Sequence, residues 1–128
     1  MRTIYGYLIV FLGAGIGGAL RHSVNIAAVR LLSSAFPYST LAVNVSGSLV
    51  MGLLAGWFAH KADPGQTWRL FLTTGILGGF TTFSSFSLDT ALLWERGQLS
   101  VAAFYILVSV ALSLIGIFGG LALIRTMN

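Results

Sequence analysis

The sequence predicts an all-α integral membrane protein, with four transmembrane helices forming a single transmembrane domain over residues 1–128 and the third helix broken at mid-membrane. Three observations lead there. Hydrophobic residues make up 56% of the 128 and charged residues only 8%, with a mean hydropathy of +0.90, whereas a soluble globular domain carries about 25% charged residues. The apolar residues fall into four runs, at about 3–32, 39–59, 67–94 and 98–124, and a helix needs about 20 such residues to cross hydrocarbon. The third run contains Gly75-Ile76-Leu77-Gly78-Gly79-Phe80-Thr81-Thr82-Phe83-Ser84-Ser85-Phe86-Ser87 at its middle. Glycines weaken a helix and hydroxyl side chains offer its backbone competing hydrogen bonds, so the break is expected near 78–81. Non-helical backbone at membrane depth is tolerated only where it is buried in protein or lines a wet cavity.

Charge and composition exclude several classes. The net charge of +4 comes from seven Lys and Arg against three acids, mostly at span ends, with no clustered basic face for nucleic acid. No cysteine is present, which removes disulfides, thiol chemistry and Cys-ligated metal. Arg2 precedes an apolar run that reaches Leu20 without a small-residue cleavage site, so this segment is expected to be a retained helix.

Span 1 places Gly13, Gly17, Arg21 and Asn25 at four-residue spacing, hence on one face. Its glycines suit close helix packing. Arg21 is a charge inside a span, which either faces a partner or wet cavity or snorkels to the interface. The adjacent His22 has no second ligand nearby and reads as interfacial. Pro37 suits the first turn of span 2. There Thr40, Asn44, Ser48, Gly52 and Gly56 form a polar half-stripe that passes into a glycine seam. Asn44 must find partners in hydrocarbon, either on a neighbouring helix or along a water or ion path.

The aqueous loop from His60 to Gln66 offers Asp63 as N-cap, Pro64 as first helical residue and Gln66 as capping-box partner, so a helix is expected to restart at about Pro64. Trp57, Trp68 and Trp94 fall near span ends, as an aromatic belt does. Beyond the break, Phe83 and Phe86 lie one turn apart. Their ring edges carry partial positive charge and can meet a small anion without holding it tightly. Asp89 is a weak site candidate. Glu95-Arg96-Gly97 reads as a tight turn. Span 4 aligns Tyr105, Ser109 and Ser113 on one face, either as a hydrogen-bonding track or as hydroxyls bonded back to their own helix. One end of the bundle collects Arg2, Lys61, Arg69 and Arg125, the other Arg30 and Arg96, a weak orientation bias that allows insertion both ways.

The run Gly-Gly-Phe-Thr-Thr-Phe-Ser-Ser-Phe-Ser, from Gly78 to Ser87, resembles the signature of the Fluc (CrcB) fluoride channel family. The resemblance covers the whole chain, through its length, four spans, Arg21, the Asn44-Val45-Ser46-Gly47 stretch, the broken span 3 and the Tyr-Ser-Ser face of span 4. It implies a fluoride-selective ion channel of the inner (plasma) membrane, not an enzyme, that exports fluoride passively and relieves fluoride toxicity. It further implies an antiparallel, dual-topology homodimer with two pores and a structural sodium ion at its centre. Backbone carbonyls of Gly78 and Thr81 from both copies would hold the sodium. Phe83 and Phe86 match the phenylalanines lining the fluoride path, with Asn44 beside them. Ser84, Ser85, Tyr105, Ser109 and Ser113 match the polar track, and Arg21 matches an arginine near the vestibule. The alternative is a small four-helix drug or cation exporter. Such exporters rely on an embedded carboxylate, and Asp89 is the only acid inside a predicted span.

Overall fold

The computed structural model describes residues 2–127, the Arg2 side chain excepted, and among these there is no strand. Helix α1 covers Arg2–Leu31 and α2 covers Tyr38–His60. The third path is composite. It begins as α3 (Gln66–Arg69), widens to a π-helix over Leu70–Leu77, returns to α4 (Gly78–Phe80), stops, and resumes as α5 (Phe83–Glu95). Helix α6 covers Leu99–Thr126. Helices α1, α2 and α6 are long and apolar enough to cross a membrane, whereas the interruption leaves no single helix of that length between residues 66 and 95.

The interruption lies further along than the glycines suggested. Gly78 and Gly79 are helical, and the extended residues are Thr81 (φ −89°, ψ 157°) and Thr82 (φ −154°, ψ 114°). The glycines have another use. Helix α1 packs against the π-helix and α4 so closely that a Cβ on Gly13 would lie 2.8 Å from Gly75 Cα, while one on Gly17 would run into the Ile76 carbonyl and one on Gly79 into that of Ala14. Small residues let backbones approach where lipid tails offer no hydrophobic reason for helices to associate. Within the π-helix the Thr73 hydroxyl donates to the Arg69 carbonyl at 2.6 Å.

Helices α2 and α6 form the other extensive pair. Their seam is again glycine, with a Cβ on Gly120 falling 2.6 Å from the Leu49 carbonyl and one on Gly52 meeting that of Ile117. Helix α5 leans on α6 through a small core of Leu93, Ala102 and Tyr105, with Phe36, Leu41 and Phe86 around it.

Two loop readings need correction. The helix after the aqueous loop starts at Gln66 rather than Pro64, with Gly65 (φ +92°) at its N-cap. Asp63 instead accepts from the Gly65 amide at 2.9 Å, a turn that its short side chain closes on the loop itself. Pro37 sits at the N-cap of α2 and not inside its first turn. Gly97, with φ +78°, makes the turn between α5 and α6.

Gly17→Ala should destabilise the protein by about 1–3 kcal/mol, because the Ile76 carbonyl cannot move without its helix. Gly18→Ala, whose Cβ meets nothing within 4 Å, should be silent or mildly stabilising. Thermal denaturation of the two variants in detergent distinguishes them, and equal behaviour would contradict the seam.

Candidate functional site

The extended pair Thr81 and Thr82 exposes backbone groups that a continuous helix would pair, and side chains take them up. Asn44 of α2 faces Thr82 and bonds it reciprocally, its Nδ2 donating to the Thr82 carbonyl at 3.0 Å and its Oδ1 accepting from the Thr82 amide at 2.8 Å. One side chain thus replaces both halves of a backbone pairing. Thr82 is the N-cap of α5, its hydroxyl accepting from the Ser85 amide at 3.1 Å, the N3 bond typical of that position. The incoming helix ends with both the amide and the hydroxyl of Thr81 donating to the Leu77 carbonyl, at 3.0 and 2.9 Å.

These bonds have a consequence for two carbonyls. In an unbroken helix the Gly78 carbonyl would accept from the Thr82 amide and the Thr81 carbonyl from the Ser85 amide. Both amides are committed instead to side chains, to Asn44 and to Thr82 respectively. The Gly78 and Thr81 oxygens are left without their helical donors. The Gly79 oxygen next to them is taken by Arg21 of α1, whose part-buried Nε donates at 3.1 Å. Arg21 therefore stands against the break itself.

Beside the break lies a cavity of about 320 Å³. Asn44, Gly47, Ser48 and Met51 of α2, Leu77, Thr81 and Thr82 of the broken path, Phe83 and Phe86 of α5, and Ser109, Val110, Ser113 and Ile117 of α6 line it. No ionisable side chain is among them. The Phe83 and Phe86 rings stand 5.5 Å apart at 58°, opposite hydroxyls. Ser109 Oγ is the one buried side-chain polar atom without a hydrogen-bond partner among the described residues. Ser23, Ser46, Ser87 and Thr90 bond back to their own helices, and neither Ser109 nor Ser113 has such a bond among the described residues. The Ser109 oxygen is itself closed off from solvent, so within the single chain this hydroxyl is buried without compensation.

The other candidates stand apart. Ser84 is exposed, its hydroxyl 3.3 Å from that of Thr82, and Ser85 engages the cap through its amide; neither lines the cavity. Gly78 is exposed outside it. Tyr105 is fully buried behind Phe86, ring centroids 5.2 Å apart, and its hydroxyl donates to Asp89 Oδ2 at 3.0 Å. Thr82 escaped notice in the sequence, although a threonine placed three residues before Ser85 at a helix restart is a readable N-cap signal. Asn25, on the Arg21 face of α1, holds the Ser39 hydroxyl.

Comparison with known proteins agrees with this architecture. Residues 8–121 match the family model described as "CrcB-like protein, Camphor Resistance (CrcB)". The chain is 61% identical over 122 residues to the "Fluoride-specific ion channel FluC" of Rhodopseudomonas palustris (strain BisB5), covering 95% of this chain and 98% of the relative. It is 61% identical over 118 residues to the protein of the same name from Methylobacterium nodulans, covering 92% and 94%. It is 55% identical over 119 residues to "Fluoride-specific ion channel FluC 2" of Nitrobacter hamburgensis, covering 93% and 96%.

Asn44→Leu should strand the Thr82 amide and carbonyl together, at about 1–3 kcal/mol for each unsatisfied group, while Thr82→Ala should lose only a cap of about 1 kcal/mol. Melting of the purified variants should rank them in that order, and the reverse order would contradict the pairing. On its sequence and its helical architecture, the chain is a multi-pass membrane protein belonging to the CrcB family.

Proposed function

We propose that this protein is a fluoride-selective channel of the plasma membrane, passing fluoride passively down its gradient, and that it works as an antiparallel, dual-topology homodimer with a structural sodium ion. The observation that carries the anion reading is the cavity between Phe83, Phe86 and the hydroxyls of Ser109 and Ser113, which has polar donors and no fixed charge. A cationic side chain would bind a small anion too firmly to release it. Ring edges and hydroxyls give contacts that are individually weak and several in number, and conduction needs that combination. Asn44 holds the Thr82 backbone, and its remaining amide hydrogen is available at the cavity wall. Ser84, Ser85 and Tyr105, outside the cavity, serve the cap and the wall behind Phe86, and Arg21 steadies the break from α1. The reading of the anion as fluoride draws support from the names of relatives 61% identical to this chain.

The homodimer reading draws support from the open side of the cavity. Phe83 is 79% exposed in the single chain, beside polar groups that would otherwise face lipid. A second copy covering this side completes the walls, and a twofold axis there repeats the arrangement in a second pore.

The sodium reading rests on the donor set. Gly78 and Thr81 each present an oxygen whose helical amide is committed elsewhere, and among the described residues no group of acidic or imidazole side chains could hold a metal ion. Two neutral oxygens from each copy suit a hard monovalent cation better than a divalent one. A sodium ion bound there would supply positive charge near the bilayer centre and lower the cost of an anion at Phe83 and Phe86.

Liposomes containing the purified protein should release fluoride only when valinomycin and potassium balance the charge, and should retain chloride. Electrically silent or proton-coupled efflux would contradict a channel. Ser109→Ala should slow fluoride efflux while leaving the melting temperature unchanged or raised, since the lost hydroxyl has no partner within the chain. A C-terminal tag should be accessible from both membrane faces in similar amounts; a single orientation would contradict the antiparallel dimer. Exchanging sodium for a large organic cation should lower the melting temperature of the dimer, and Gly78→Val should abolish the difference.

A further inference from the structure

Phe36 belongs to none of the helices, yet the connection between α1 and α2 is built to hold it in one place. Pro37 takes φ −79° and ψ 66°, and the Tyr38 amide donates across it to the Phe36 carbonyl at 2.8 Å. Together these make an inverse γ-turn, whose φ the proline ring presets. Just before it, the Ser33 hydroxyl accepts from the Ala35 amide at 3.0 Å and closes a turn of its own. Phe36 is therefore fastened through its backbone to the first residue of α2.

From there its ring reaches α5 and α6. It packs against the buried Leu93, Ala102 and Tyr105 and meets the Tyr105 ring edge-on, centroids 5.5 Å apart at 87°, an arrangement that ring quadrupoles favour. Tyr105 in turn stands 5.2 Å from Phe86, and Phe86 5.5 Å from Phe83. Four rings thus run in succession from the connection to the cavity wall. Helix α5 needs such support. It packs mainly on α6, with a slighter contact to α2; Leu93 is its one buried residue, and Phe83, Leu88, Leu92 and Trp94 are exposed. We propose that Phe36 is a positioning residue, which fixes the tilt of Tyr105 and through it the place of Phe86 at the cavity. Phe36 itself does not line that cavity. Its effect on flux rests on the fluoride-channel reading, since an anion that meets ring edges responds to where those edges point.

Phe36→Leu and Phe36→Met remove the ring but keep an apolar side chain in its place, and the methionine variant decides if the leucine variant does not fold. In liposomes each should pass fluoride more slowly than wild type by about two- to tenfold, the contribution of one edge contact between rings, and Phe36→Tyr should restore the rate. Fluorine NMR of the detergent-solubilised protein labelled with 4-fluorophenylalanine reads the position of Phe86 independently of conduction, its line being the one that Phe86→Leu removes. That line should shift in Phe36→Leu and Phe36→Met and return in Phe36→Tyr, while the line of the exposed Phe118 stays. Wild-type liposomes that retain fluoride would contradict the channel reading, and the Phe86 line would still test the contact. Unchanged efflux in both variants that lack the ring, a Phe36→Tyr rate no better than theirs, or an unmoved Phe86 line would each overturn the proposal.

Discussion

Asn44 and Thr82 hold each other by both backbone groups of one residue, and the break in the third membrane path depends on that exchange. Extended backbone between two half-helices leaves donors and acceptors that water cannot reach in a bilayer. A side-chain amide is the group that offers a donor and an acceptor in the spacing of a peptide, so asparagine can take the place of the missing turn. A carboxylate would accept but not donate, and a hydroxyl carries both functions on one atom rather than at the spacing of a peptide. Thr82 then turns its own hydroxyl forward to cap α5, and the break is closed on one side by α2 and on the other by its own continuation. What these bonds withhold matters as much as what they satisfy, because they take the amides on which the Gly78 and Thr81 oxygens would otherwise rely.

Glycine seams set the rest of the frame around this exchange. Gly13 and Gly17 bring α1 against the π-helix, close enough for Arg21, one turn on, to reach the Gly79 oxygen. Gly47 brings α2 onto Thr81, where a Cβ would collide with the threonine methyl, and that approach delivers Asn44 from the previous turn to Thr82. Gly52 and Gly120 hold α2 to α6, which sets Ser109 and Ser113 across the cavity from the two phenylalanines. Packing and site are therefore one arrangement, and the helix faces that carry glycine at one end carry the polar groups at the other.

The fold was legible because membranes restrict the choices. Four apolar runs and sparse charge leave helices as the reading, and the glycine and hydroxyl cluster marks where one of them fails. The place of failure was less legible. Three glycines in five residues argue for the break by propensity, yet in a membrane Gly75 and Gly79 are worth more as contact points for α1 than as breakers, and the helix runs through them. The π-helix from Leu70 to Leu77 gave no periodic signal, since one widened turn does not change an apolar pattern. Within the site, four-residue spacing puts Asn44 and Ser48 on one face of α2 and Ser109 and Ser113 on one face of α6, and all four line the cavity. Spacing along one helix cannot show which partner a side chain meets on another. The pairings of Asn44 with Thr82, of Asn25 with Ser39 and of Tyr105 with Asp89 are all of that kind, and the last draws Tyr105 away from the cavity that its stripe suggested.

The account turns on whether Asn44 replaces a peptide at the break, and hydrogen exchange at single amides in the detergent-solubilised protein measures that directly. The Thr82 and Ser85 amides should exchange as slowly as their helical neighbours although Thr82 is extended. In Asn44→Leu, Thr82 should lose its protection while Ser85, capped by the Thr82 hydroxyl, keeps more of its own. Rapid exchange at Thr82 in the wild-type protein, or unchanged protection once Asn44 is removed, would contradict the account.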